Sequence, residues 1–333
     1  MRRLSRYATA TVLAAILIAP TAAPARLTAI KGFGPGDGRV VIARSDGTHV
    51  HRLAEGDSAQ ISPNGRYVAV QNSDPGQQIF HPRLMVYRAG GGAPLFVVRR
   101  SYGSIAWSPD SQKLVGAERK GFSLTQHLVV IDAKTGARTT LLKGELGSAA
   151  FSPDGSQVAF DRYDIGGDIG GTLQVIDLAS RTIRTLADRV GQFAWGPSEI
   201  AFSTLSSNSY RFANLAAIKP DGTGLRRLTH VAPRKTSGFS PVAWSDDGRR
   251  LLAGYYREGI PITYAIDAVH GGARVLARRV APAALSHDGR VVIGETGNPF
   301  CCTNDPINVV RLPWTGGKPH ILIKKAFGAS SND

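Results

Sequence analysis

Residues 150–160 read Ala150-Phe151-Ser152-Pro153-Asp154-Gly155-Ser156-Gln157-Val158-Ala159-Phe160. A Ser-Pro-Asp-Gly phrase stands there between two apolar stretches of period-two alternation, the pattern of a β-hairpin. Ser at the first position, Pro at the second and Gly at the fourth suit a type I turn. The phrase recurs as Ser62-Pro63-Asn64-Gly65, Ser108-Pro109-Asp110-Ser111, Ser245-Asp246-Asp247-Gly248 and Ser286-His287-Asp288-Gly289, with a worn copy at Gly196-Pro197-Ser198. Successive copies begin 46, 44, 44, 49 and 41 residues apart. Such a period marks one supersecondary unit, copied and stacked against itself.

Outward from the phrase, each unit repeats its neighbours. A large apolar residue precedes it (Ile61, Trp107, Phe151, Trp195, Trp244, Leu285), and before that stands Gln60, Ala106, Ala150, Ala194, Ala243 or Ala284. A third apolar run follows the hairpin, as at 128–132 and 173–177, then a turn rich in Gly or Asp, then a fourth run, as at 182–186 and 225–229. Four antiparallel strands, A to D, in every unit predict an all-β chain: a β-propeller of four-stranded blades. Six units favour six blades. The leading stretch 38–53 reads as strands C and D alone, so seven blades stay open. The large residues before the turns are expected to wedge between blades, and the small ones beside them to line the channel.

The combination of small-aromatic-Ser-Pro-Asp-Gly, an "Ile-Asp" third strand and Arg226-Arg227-Leu228-Thr229 resembles the WD-like repeats of TolB-type β-propellers. The resemblance covers about residues 58–325 and is specific for the repeat. TolB itself carries an α/β domain before its propeller, whereas only residues 26–57 precede the first phrase here. The resemblance therefore implies the fold and does not bring the TolB role with it.

The N-terminus is expected to be a cleaved export signal over 1–25. Arg2, Arg3 and Arg6 precede a short apolar stretch, and Ala23-Pro24-Ala25 fits small-x-small cleavage. The expected order is then a strand pair over 26–57 closing or decorating the propeller, the propeller over 58–325 and a tail over 326–333. Localisation would be periplasmic or extracellular. Loss of a leader with three arginines and no acid takes the formal charge from +15 to about +12. An exported protein so charged favours anionic surfaces. The expected partner is an envelope protein or an anionic envelope polymer or lipid. Nucleic acid is not expected, since no stacking-aromatic motif accompanies the charge, and a monomer is. Cys301 and Cys302 are adjacent, with Cα atoms about 3.8 Å apart. That is below the disulfide range of about 4.4–6.8 Å. A strained vicinal disulfide, two free thiols or an intermolecular link all remain open.

In an A-B-C-D meander the A-B and C-D turns share one face, and the B-C and D-A loops share the other. The first set is uniformly tight, the second long and irregular. Variable loops on a rigid scaffold are where function usually sits. The candidate binding residues on that face are His81, Arg119, Lys120, Arg162, Tyr163, Asp164, Asp168, Tyr210, Arg211, Arg234, Lys235, Tyr256, Arg257, Phe300, Asn304 and Asp305. The innermost strands hold no Asp, Glu, His, Arg or Lys, and no Gly-x-Ser-x-Gly elbow exists. Neither the Asp164/Asp168 echo nor the His49/His51 pair completes a ligand set, so no metal, cofactor or catalytic residue is expected. The alternative is a small propeller hydrolase or lyase acting from the same loops. Its acids would be Glu118, Asp161, Asp164, Asp168 and Glu295.

Overall fold

A computed structural model describes residues 26–31, 38–44, 46–56, 58–74, 81–119, 125–163, 170–205, 212–230, 238–257, 259–286, 288–296 and 308–324. The proposed leader, the C-terminal tail and the two cysteines lie outside them. Among the described residues every regular element is a strand.

β1 (Arg26–Lys31), β2 (Arg39–Arg44) and β3 (His51–Glu55) form a three-stranded antiparallel sheet. The leading stretch thus contributes three strands rather than two, because residues 26–31 pair along their whole length with 39–44. Six four-stranded meanders follow. The first is β4 (Ser58–Ile61), β5 (Tyr67–Asp74), β6 (His81–Arg88) and β7 (Phe96–Val98). The second is β8 (Ser101–Trp107), β9 (Lys113–Arg119), β10 (Gln126–Asp132) and the start of β11 (Arg138–Phe151). The end of β11, β12 (Gln157–Tyr163), β13 (Gly171–Asp177) and the start of β14 (Ile183–Trp195) make the third. The end of β14, β15 (Ile200–Leu205), β16 (Phe212–Ile218) and β17 (Arg226–Arg227) make the fourth. The fifth holds β18 (Phe239–Trp244), β19 (Arg250–Arg257), β20 (Ile260–Asp267) and β21 (Ala273–Arg278). The sixth holds β22 (Val280–Leu285), β23 (Val291–Thr296), β24 (Asn308–Pro313) and β25 (His320–Lys324).

The turn phrase explains itself at atomic detail. Ser152 Oγ donates to Asp154 Oδ1 (2.6 Å) and accepts from the Gln157 amide (2.9 Å), while Asp154 Oδ1 also accepts from the Ser156 amide (3.0 Å). The same three bonds recur around Ser62/Asn64, Ser108/Asp110, Ser245/Asp247 and Ser286/Asp288. The C-D turns use a second aspartate device. Asp132 Oδ1 accepts from the Lys134 and Thr135 amides, and Asp177 Oδ1 from those of Ala179 and Ser180.

Apolar clusters lie between successive sheets, and their sequence returns on itself. Trp107 packs with Ala69, Leu84 and Val86 of the preceding sheet, and Phe151 with Val115, Ala117 and Leu128. Trp195 adjoins Leu173 and Val175, and Trp244 adjoins Ala201 and Leu215. The indole N–H groups of Trp107 and Trp244 donate to the Gln60 and Ala194 carbonyls, each at 3.1 Å. The large residues therefore wedge between sheets as expected. The small ones do not simply line a channel: Ala106, Ala243 and Ala284 pack toward the following sheet. Both faces of a radially stacked sheet are covered, so alternation sorts side chains by neighbour. In the three-stranded sheet Val40, Ile42 and Ala54 meet the first four-stranded sheet, while Val41 and Ala43 meet the sixth.

Candidate binding face

Tight turns occupy one face, so the face left for recognition carries the far ends of the second strands. Those ends share a plan. Glu118 and Arg119 close β9, and Asp161, Arg162 and Tyr163 close β12. In each pair the acid is buried and the arginine exposed.

Glu118, 9% exposed, accepts from Tyr102 Oη (2.8 Å) and Arg138 Nη1 (2.8 Å), with Arg100 Nε at 3.6 Å. Asp161, 3% exposed, accepts from the Ser148 amide and from Tyr163 Oη (2.5 Å). Gly147 makes room for it, since a Cβ there would collide with the Asp161 carboxylate. Burial raises the Asp161 pKa, against the pull of those two donors. Burial and then the Asp161 charge raise that of the Tyr163 phenol. Glu295, 9% exposed, lies one residue before the end of β23, and its charge, after burial, raises the Tyr256 phenol of the neighbouring sheet. Polar side chains below the loops tie crossovers down. Gln126 Oε1 accepts from the Leu146 amide (2.6 Å), Thr263 Oγ1 donates to the Val280 carbonyl (2.7 Å), and Thr229 Oγ1 donates to Asn214 Oδ1 (2.9 Å).

Of the candidate residues, Arg119, Arg162 and Arg257 are exposed at the ends of β9, β12 and β19, and Tyr163 is 41% exposed beside them. Tyr256 is half-buried, and His81 opens β6 opposite Asp74. Lys120, Asp164, Asp168, Tyr210, Arg211, Arg234, Lys235, Phe300, Asn304 and Asp305 lie outside the described residues. The structure pairs Asp161 of the enzymatic alternative with the candidate Tyr163, and Glu118 of that alternative with Tyr102, which was not among the candidates. Their signal was an acid one residue before a strand-end arginine. Among the described residues no three of His, Cys, Asp or Glu gather as a metal-ligand group.

No family model and no curated protein matches the chain. Solved structures do. A prolyl endopeptidase structure matches at a TM-score of 0.67 and 13% identity, over 95% of this chain and 51% of that one. This chain thus spans about half the length of that enzyme. TolB from Acinetobacter baumannii matches at 0.57 and 15% identity, over 90% and 78% of the two chains. An oligogalacturonate lyase, solved in complex with manganese, matches at 0.59 and 16% identity, over 89% and 84%. At such identities the likeness is one of fold: a TolB-like β-propeller.

Proposed function

We propose that the chain is an exported, non-catalytic member of the TolB-like propellers that binds or scaffolds a partner in the cell envelope through its B-C/D-A loop face. The partner is an envelope protein or an anionic envelope polymer or lipid. The observation that carries this reading is the layering at the strand ends. Exposed Arg119, Arg162 and Arg257 stand outermost, while Glu118 and Asp161 beneath them are engaged by their own tyrosines, arginine and amide. A carboxylate whose acceptors are engaged in this way has no free geometry for general acid-base work. The net charge of +15 agrees in sign with an anionic partner.

The test is sedimentation with anionic vesicles or purified acidic wall polymer at rising salt. Binding is expected at low salt and should fall steeply, because the screening length shrinks to about 8 Å at physiological ionic strength. The triple variant Arg119→Gln/Arg162→Gln/Arg257→Gln should lose it without losing fold. Salt-insensitive binding, or none at low salt, contradicts the reading. A hydrolase and lyase screen with metal supplementation separates the enzymatic alternative, which wins if turnover appears and vanishes in Asp161→Ala or Asp168→Ala.

A further inference from the structure

On the opposite, turn-bearing face, one boundary between sheets departs from the others. The residue after each C-D strand whose amide bonds back to the A-B hairpin is Ala89, Ala133, Leu178 and Ala268 in the first, second, third and fifth sheets. In the sixth it is Trp314, whose amide donates to the Arg290 carbonyl at 2.8 Å. Ala89, Ala133 and Ala268 are each 1% exposed, whereas Trp314 is only partly buried. A large ring stands where three of the other sheets place a small buried alanine, at a position that faces the preceding sheet, and where the third sheet has the half-buried Leu178.

That ring borders a cleft of about 700 Å³ between the fifth and sixth sheets, lined by Arg249, Arg250, Asp267, His270, Arg274 and Trp314 among others. The Arg250 guanidinium lies 5.8 Å from the Trp314 ring centroid. It also donates to the Asp288 (3.3 Å) and Gly289 (2.9 Å) carbonyls. Arg274 donates to the Trp314 (2.7 Å) and Thr315 (3.1 Å) carbonyls. Both guanidiniums are thus fixed by neutral carbonyls, and among the described residues neither is ion-paired with a carboxylate. The neighbouring acids bond within their own turns, while the Arg250 charge, after those turn bonds, helps hold Asp247 and Asp288 ionised. Asp247 and Asp288 hold their own turns, and Asp267 holds its turn and the His270 ring.

We propose that this cleft is a second binding site, for a small sugar acid or sugar phosphate. Guanidiniums fixed in place recognise a carboxylate or phosphate in oriented fashion. The indole offers an apolar wall for an uncharged body. The volume falls in the range of about 300–1,000 Å³ usual for small-ligand pockets, well beyond the need of a bare anion. The site shares no residue with the loop face and stands whether or not that face binds anything.

The experiment is a titration of the full chain followed by intrinsic tryptophan fluorescence and calorimetry. The probes are glucuronate, glucose 6-phosphate, inorganic phosphate and glucose. Saturable binding of glucuronate or glucose 6-phosphate is expected, the stronger of the two identifying the acidic group. Trp314→Phe should remove the fluorescence change. Arg274→Gln should weaken binding on the order of tenfold, equal to about 1.4 kcal/mol. Arg250 anchors the next hairpin, so Arg249→Gln serves as the second variant if Arg250→Gln fails to fold. No saturable binding of either anionic sugar, equal binding of neutral glucose, inorganic phosphate binding as tightly as the sugars, or a wild-type response in Arg274→Gln overturns the proposal. Lys143→Gln, exposed on β11 away from both faces' proposed sites, should leave the titration unchanged.

Discussion

Gly196 holds the place where five other units carry serine, and its lack of a side chain is required. A Cβ there would stand 2.6–2.8 Å from the Trp244 ring. Gly196→Ser, although it restores the repeated phrase, should therefore destabilise the domain by about 1–3 kcal/mol, as overpacking does. Thermal unfolding decides it, and a serine variant with a raised Tm would show the reasoning wrong. Asp161 supplies a second case at this scale. Its pKa is raised by burial, so the folded state holds its proton more tightly than the unfolded chain. Stability of the wild type relative to Asp161→Asn should be greatest below the ordinary carboxylate range and decline as pH rises toward neutrality. Urea unfolding at acidic and neutral pH measures the difference, and a gap that widened in favour of the wild type at neutral pH would refute the assignment. Neither case was legible in the sequence. Each depends on a residue of another strand, Trp244 or Ser148, arriving against it.

At the scale of elements the turns dominate. Asp46, Asp110, Asp132, Asp154, Asp177, Asp221, Asp247 and Asp288 all have pKa values lowered within their turns, and Asp267 is brought down to about 2 by the His270 amide and ring. A depressed folded-state pKa contributes stability that is present above the unfolded value of about 3.9 and lost as pH falls through the folded one. Acid unfolding should therefore set in across the carboxylate range, with Asp267 the last to yield, and a chain equally stable below that range would contradict it. Ser152→Ala removes one donor and one acceptor from a single hairpin and should cost about 0.5–1.5 kcal/mol. These turns were legible because their bonds run between residues two to five apart in sequence. The strand-end carboxylates were less so. Glu118 finds Tyr102 and Arg138, 16 and 20 residues away, across sheet pairings that no local pattern encodes.

At the scale of the whole molecule the repeat predicted the stacking of four-stranded sheets, and what it missed was the strand at residues 26–31. That strand carries no turn phrase, and only its pairing with 39–44 reveals it. The three-stranded sheet it completes has neighbours on both sides. Val40, 0% exposed, faces the first four-stranded sheet, and Val97, 46% exposed, sits on an outer strand. Val40→Asp should leave an uncompensated buried charge, at a cost of about 3–5 kcal/mol, and lower the Tm of the entire domain. Val97→Asp should leave it nearly unchanged, and equal effects would deny the first sheet its packing role. The long strands β11 and β14 carry a further consequence. Each leaves one sheet as its outer strand and enters the next as its inner strand, so the hydrogen-bond ladder from β8 to β17 is continuous. Three of the sheets are stitched by a continuous ladder into one arc, whereas the joint between the fourth and fifth carries a lone backbone bond, from the Gly272 amide to the Leu228 carbonyl (2.9 Å), among the described residues. A ring that breathes would part at such joints, near β7/β8, β17/β18 or β21/β22, or on either side of the three-stranded sheet. In deuterium exchange the arc would respond as one slow block, with the faster amides marking where the circle opens.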